Sequence, residues 1–358
     1  MATVESGHSR QRPSGWSLLT GITLATAGYA LSRRQQTQAR GAAGQGDARG
    51  RTAERPQDIP ARGWKDIAMR VWNRIGEDRI LVIAAGIVFY GILALFPAIA
   101  ALVSLYGMFS NPATLGDKLA SLSSVLPGGA IEVIRDQMTR VSQHSSGALG
   151  LATLVGLAIS LWSANAGMKA VYDGLNVAYR EKEKRSFIQL NVSSLIFTLC
   201  MIGFAIVALG AMIALPHLVD SMGLGKVGQW AVTIGKWPVL LVLIIVVFAC
   251  LYRFGPSRDE PQWRWLTPGS VLAALLWLAA SILFSWYAAN FGSYNKTYGS
   301  LGAIIGLMTW MWISNIVVIL GGVVNAEMEH QTDKDTTVGR PRPMGARGAY
   351  VADVKPTR

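Results

Sequence analysis

The sequence predicts an all-α protein, a polytopic transmembrane helical bundle of six spans with short amphipathic helices at its surface. Three observations predict it. Hydrophobic residues make up 51% of the chain and charged residues only 15%, with a mean hydropathy of +0.34, a balance that suits a chain embedded in lipid. Charge-free apolar runs recur, and the one between Lys296 and Glu327 exceeds the ~20 residues that cross ~30 Å of hydrocarbon at 1.5 Å per residue. The basic residues behind a formal charge of +12 fall in tails and between the runs. There they orient helices, and no single element carries the basic stripe that nucleic acid requires.

Residues 1–62 form a mostly disordered basic N-terminal tail, because their Arg, Gly, Gln and Ala cannot bury enough apolar surface to offset ordering entropy. Within it Gly15 to Leu31 is apolar but short. It reads as a marginal span or interfacial anchor, as a signal peptide ending at Ala30, or as an apolar patch in a disordered tail. From Gly63 to Arg79, Trp64, Ile67, Ala68, Val71, Trp72 and Ile75 recur at helical spacing, with Lys65, Arg70, Arg74 and Asp78 on the other face. That pattern predicts an amphipathic helix lying at the membrane interface or packed on protein.

The membrane domain runs over residues 63–330. Its first span is Ile80 to Tyr106, with Pro97 inside it. Leu115 to Val141 is broken at Pro127, Gly128 and Gly129 into two short surface helices. Four charge-free runs follow, Gly147 to Ser163, Phe187 to Leu215, Trp237 to Leu251 and Leu266 to Phe291, before the last span. The connectors alternate in basicity. Lys169, Arg180, Lys182, Lys184 and Arg185 crowd one, and Arg253, Arg258 and Arg264 another, while Lys226, Lys236 and Lys296 are sparse on the opposite side. The positive-inside rule then places both ends of the six-span domain in the cytoplasm. A three-plus-three inverted repeat stays open. Residues 331–358 are polar and proline-containing, which predicts a disordered cytoplasmic tail.

In the last segment, Tyr294, Tyr298, Trp310 and Trp312 suit an interfacial or helix-packing position, and Gly299, Gly302 and Gly306 leave room for a neighbouring helix. Cys200 and Cys250 sit inside apolar runs and read as small buried thiols. His8, His144, His217 and His330 are scattered without metal-ligand spacing, and no phosphate-cradling loop or Ser, His and acid set is present. No catalytic, cofactor or metal site is predicted.

Polar residues at membrane depth carry the functional reading: Asn165, Asn191, Ser194, Thr198, Asn290, Thr309, Ser314 and Asn315, with Lys169, Arg253 and Glu327 at span ends. Each is either a helix-to-helix hydrogen bond or part of a solute path. Arg253 and Glu327 read as interfacial anchors. The predicted wall of a polar path, or of helix packing, comprises Tyr90, Asn165, Tyr294, Asn295, Tyr298 and Asn315.

Taken together and in order, FYGILALFP (Phe89 to Pro97), LWSANAGMKAVYDGLNVAY (Leu161 to Tyr179), YRFGP (Tyr252 to Pro256), WRWLTPG (Trp263 to Gly269) and NFGSYNKTYGSLGAIIGLMTWMW (Asn290 to Trp312) resemble the YihY and BrkB family of bacterial inner-membrane proteins, long labelled ribonuclease BN. The resemblance covers about residues 63 to 330. It implies six transmembrane helices with cytoplasmic termini. One departure stands out: the family's GAELNAE-like motif reads GGVVNAE here, so Val323 replaces its first glutamate, while Asn325 and Glu327 remain. The expected function is envelope transport or export of a lipid-like or amphiphilic solute, with the bilayer, that solute and envelope proteins as partners and no nucleic acid. A non-transporting scaffold for envelope assembly is the alternative, and a tRNA-processing ribonuclease the least favoured reading.

Overall fold

The computed structural model describes residues 48–109, 146–221, 225–291 and 300–355, with side chains left out in parts of the helices. The described residues are mostly helical and include no strand; 332–349 is an irregular tail, joined to Pro261 by an isolated bridge at Thr337. An amphipathic helix, α1 (Ala61–Glu77), precedes six long ones: α2 (Ile80–Phe109), α3 (Ser146–Ala178), α4 (Phe187–Ser221), α5 (Gly225–Phe254), α6 (Trp263–Phe291) and α7 (Ser300–Gln331). A four-residue helix, α8 (Tyr350–Asp353), closes the chain. The segments 15–31 and 115–141 lie outside the described residues.

Five helices, α3 to α7, are long and apolar enough to cross a membrane. The expected first span is α2, a helix of 30 residues that runs on through Pro97. Only its part from Ile80 to Ala94 is described in side-chain detail, an apolar length short of a full span. Helices are what such sequences must form, because hydrocarbon offers no partner to an open backbone donor or acceptor.

The six helices alternate in direction. Gly174 of α3 faces Ile83 and Ile87 of α2 and Ile319 of α7, while Gly167 lies against Gly91 one to two turns away, so α2 runs antiparallel to α3 and α7 parallel to it. Trp277 Nε1 donates to Ser314 Oγ at 3.0 Å and Trp310 Nε1 to Ser281 Oγ at 3.2 Å, which pairs α6 with α7 in antiparallel sense. Trp312 Nε1 donates to the Leu81 carbonyl of α2. Two of the tryptophans of the last segment therefore act in helix packing.

Of the glycines expected at close approaches, Gly299 lies outside the described residues, and Gly306 is not at one. A Cβ on Gly306 would meet nothing, whereas one on Gly321 would collide with the Tyr252 hydroxyl and with Ala273. Only glycine lets α5, α6 and α7 meet there, and the Tyr252 hydroxyl then reaches the Val318 carbonyl at 2.9 Å. Cys200 is exposed and Cys250 half-buried on the outer surface of the bundle, so neither is the buried thiol expected.

One end of the bundle gathers α1, the α3–α4 and α5–α6 connections, the end of α7 and the tail. We call it the charged end. Here the expectation of a disordered tail gives way. Asp333 N donates to the Arg51 carbonyl, Thr332 Oγ1 to the Ala53 carbonyl, and Gln262 N to the Thr336 carbonyl. Buried Arg347 donates to the carbonyls of Asp333, Lys334, Arg342 and Ala352. Part of the N-terminal region is likewise packed, with Ala53 and Ile59 joining Ile67, Trp265 and Met328 in a small apolar cluster. One arginine that satisfies four backbone acceptors does for this tail what an apolar core does elsewhere.

Candidate functional site

Arg70 and Arg74 lie one turn apart on α1 and so face the same way. Both reach Glu327 of α7, a fully buried carboxylate. Arg70 Nε donates to Glu327 Oε2 at 2.6 Å, and Arg74 Nη1 donates to Oε1 at 3.2 Å. Arg180 approaches the same oxygen at 3.7 Å. It takes up a left-handed conformation, φ 56°, at the end of α3, where Glu181 N donates to the Asn176 carbonyl and Arg180 N to the Val177 carbonyl. That helix terminus normally uses glycine. Arg74 also donates to the Val177 and Ala178 carbonyls, so it caps α3 while pairing with α7. Glu327 is thus no snorkelling anchor. Three guanidinium groups supply the partners that a buried carboxylate must have.

A second pair lies alongside. Arg258 Nη2 donates to Glu329 Oε2 at 2.7 Å and Nη1 to Oε1 at 3.2 Å, with both side chains fully buried. Thr336 of the tail adds a hydrogen bond to Oε2, and the Arg258 guanidinium stacks 5.0 Å from the Tyr179 ring. Burial opposes the Arg258 charge, yet Glu329 leaves its pKa above the ordinary value. Asn325, next along the NAE motif, accepts a hydrogen bond from Gly269 N just after Pro268. A Cβ on Gly269 would overlap that amide.

The α3–α4 connection is a third knot. Arg185 holds both oxygens of Glu183, at 2.8 Å each, and donates to the Gly255 carbonyl at the end of α5. Burial favours the neutral acid at Glu183, but the hydrogen bonds from Arg185 and Asn176 outweigh it and hold the pKa at about 2. Beside this knot is a cleft of about 320 Å³ lined by Lys184, Arg185, Arg253, Arg258, Asp259 and Glu260, among others. Arg253 is no free anchor either. Its Nη1 donates to the Pro261 carbonyl, its Nη2 to Glu260, and its guanidinium stacks on Trp263.

From this knot a polar seam runs between α3 and α4 toward the middle of the bundle. Lys169 Nζ donates to Asn191 Oδ1 at 2.9 Å and lies 5.7 Å from the Trp162 ring. Asn165 Nδ2 donates to the same oxygen at 3.3 Å, and Asn165 Oδ1 accepts from Ser194 Oγ. Thr198 Oγ1 returns to the Ser194 carbonyl. Asn165 and Ser194 are buried between the helices, Lys169 and Asn191 are half-buried, and Trp162 and Asp173 are exposed. The seam therefore opens sideways, toward the surface that faces lipid in a membrane.

Of the expected wall, Tyr294, Asn295 and Tyr298 lie outside the described residues. Asn165 sits in the seam just described. Tyr90 is exposed on α2, its ring edge-on to Phe89 at 5.5 Å. Asn315 donates its amide to the Met311 carbonyl, one turn back in its own helix. The sequence reading did not assign the knots around Glu327, Glu329 and Glu183. Signals for them were present: two arginines four apart on α1, and two carboxylates two apart at the end of an apolar run, each of which needs a cation. Among the described residues no group of three or more His, Cys, Asp or Glu is placed to hold a metal ion.

Comparison with known proteins follows this geometry. The chain is similar to the putative ribonuclease-like protein YfkH of Bacillus subtilis, 32% identical over 250 residues, covering 68% of this chain and 88% of that one. It is also similar to the UPF0761 membrane protein RSc1559 of Ralstonia nicotianae, 29% identical over 266 residues, covering 72% of this chain and 57% of that one. A third relative, the UPF0761 membrane protein IL2447 of Idiomarina loihiensis, is 28% identical over 201 residues, covering 55% and 66%. The chain thus spans little more than half the length of the Ralstonia protein. No solved structure matches. The sequence model of the family described as virulence factor BrkB matches residues 71–344, a range that takes in all six long helices together with Arg74, Glu183, Arg185, Arg258, Glu327 and Glu329, and the chain belongs to that family of multi-pass membrane proteins.

Proposed function

We propose that the protein moves a lipid-like or amphiphilic solute within a bacterial inner membrane, its charged end in the cytoplasm. The observation that carries this reading is the seam of Asn165, Asn191, Ser194 and Lys169. Polar groups at membrane depth are costly unless they are paired or wet. Here they are paired yet open to the side, the arrangement a polar head needs if its apolar part is to stay in the hydrocarbon. Orientation rests on the basic connectors, since Arg180, Lys182, Lys184, Arg185, Arg253, Arg258 and Arg264 all belong to the charged end.

The test is transfer of a phospholipid carrying a fluorescent head between leaflets of vesicles that contain the purified chain. Transfer should exceed that of empty vesicles. Lys169→Leu, which leaves the bonds of Asn165 to Asn191 and Ser194 in place, should slow it at least about fivefold, the rate equivalent of one interhelical hydrogen bond of about 1 kcal/mol, with melting in detergent little changed. A wild-type rate equal to that of empty vesicles would rule out transport and favour the scaffold reading.

We infer further that the chain is not a ribonuclease, although one relative bears a ribonuclease-like name. Phosphodiester hydrolysis needs a metal or an acid and base pair in a wet pocket, and the carboxylates of Glu183, Glu327 and Glu329 are each engaged by arginine. Purified protein should leave tRNA precursors intact with or without divalent metal.

A further inference from the structure

The cleft at the start of α6 serves neither the helix contacts nor the seam. We propose that it binds the phosphate-bearing head of an anionic lipid in the adjacent leaflet, with Arg253 as the receiving fork. The proposal rests on the amphiphile reading above, but it concerns equilibrium binding and not movement.

The volume, about 320 Å³, falls at the lower end of the roughly 300–1,000 Å³ typical of small-molecule sites. Four cationic side chains in the lining, Lys184, Arg185, Arg253 and Arg258, face two carboxylates, Asp259 and Glu260. These groups differ in how firmly they are committed. Arg258 is locked to buried Glu329, and Arg185 to Glu183. Asp259 is turned to the tail, 2.8 Å from Arg342, with its amide on the Gly348 carbonyl.

Arg253 differs. Its side chain is only 10% exposed and is fixed by the Pro261 carbonyl and by stacking 4.5 Å from the Trp263 ring. Its anionic partner among the described residues, Glu260, is 50% exposed. An ion pair with so exposed a partner is weak and easily exchanged, so the Glu260 carboxylate is a stand-in that a phosphate can displace. Among the described residues Arg253 Nε has no hydrogen-bond partner, so the fork has donor capacity to spare. Arginine suits the role because its planar donors match phosphate oxygens two at a time.

The surroundings point to a lipid as the bearer of that phosphate. Phe254 and Trp263 stand edge-to-face at 6.4 Å beside Arg253, and both are exposed, as are Phe187 and Ile188 at the start of α4. Exposed aromatics at a span end mark the level of the headgroups. A head seated on Arg253 leaves its acyl chains running down this apolar surface. Lys184, more than half exposed, adds charge at the rim.

The experiment uses the full chain purified in detergent, with native mass spectrometry reading how much phosphatidylglycerol is retained relative to phosphatidylcholine, whose choline cancels the phosphate charge. Wild type should prefer phosphatidylglycerol about tenfold, the scale of one charge-assisted hydrogen bond. Arg253→Gln should abolish the preference. Glu260→Gln should raise it severalfold, and because Glu260 is exposed this second variant holds the test even if Arg253→Gln folds poorly. Inorganic phosphate that displaces the lipid would show the phosphate alone to be the recognised group; lipid retained in excess phosphate would show that the acyl chains contribute, and either result supports the site. An unchanged preference in both variants, or a weaker one in Glu260→Gln, would overturn it. Lost transfer with the preference intact would count against transport alone. Intact transfer with no preference would count against this site alone.

Discussion

Arg70 Nε lies 2.6 Å from Glu327 Oε2 although 257 residues separate them in the chain, so the amphipathic helix and the last span are joined by charge as well as by apolar contact. Helix α1 does bury Ile67 and half-bury Val71 and Ile75, but it also buries Arg74 and leaves Trp72 73% exposed. Its polar face is thus partly an inner face.

Removing Glu327 should therefore harm the fold far more than removing Arg70. Glu327→Ala removes the acceptor shared by Arg70, Arg74 and Arg180 and leaves buried Arg74 with Asp78 and two carbonyls, and the loss should be about 1–3 kcal/mol. Arg70→Ala leaves the carboxylate with Arg74 and Arg180 and should lower the melting temperature in detergent much less. Equal shifts for the two variants would mean that Glu327 is not the common acceptor of the knot.

The alternation of six helices was legible because hydropathy alone imposes it. What lay at the charged end was only half legible. The charge-free run centred on Gly147 to Ser163 marks the second span, and α3 continues past it to Ala178, since Asn165, Lys169, Asp173 and Asn176 interrupt apolarity without interrupting the helix. The tail looked disordered because its order comes from Arg347 meeting backbone carbonyls, and composition does not record such contacts. Glu327 could be seen as a charge at a span end. Its burial could not, because the three arginines that make burial tolerable come from α1 and from the end of α3.

Acid should loosen the α3–α4 connection. The folded-state pKa of Glu183, about 2, lies below its ordinary 4.5. The stabilisation it gives is therefore complete above about pH 4.5 and is lost as pH falls toward 2. Melting temperature recorded from pH 7 downward should decline in that window, and Glu183→Gln should remove part of the decline. A variant that follows the wild-type curve throughout would show that another carboxylate sets it.

Topology gives an independent check on the orientation proposed. Reporter fusions after Lys184 and after Arg258, both at the charged end, should register cytoplasm. Fusions near Gln143, Gly225 and Tyr294 should register the opposite side of the membrane. One connection reporting the wrong side would break the alternating six-helix arrangement.

Asn165 and Asn315 look alike in sequence, each an amide in an apolar run, but the structure separates them. Asn315 is satisfied one turn back by the Met311 carbonyl of its own helix. Asn165 accepts from Ser194 on α4 and donates to Asn191, so it joins two helices. Asn315→Leu loses only a local bond and should cost well under about 1 kcal/mol. Asn165→Leu removes both of its interhelical bonds, although Asn191 keeps Lys169 and Ser194 keeps the Leu190 carbonyl, and should cost about 1–2 kcal/mol. Melting of the two variants in detergent decides the matter. If Asn165→Leu proves as stable as wild type while transfer of the fluorescent lipid slows, the seam is a path. If stability and transfer fall together, it is a clasp between α3 and α4. A larger loss for Asn315→Leu than for Asn165→Leu would contradict the hydrogen bonding on which both assignments stand.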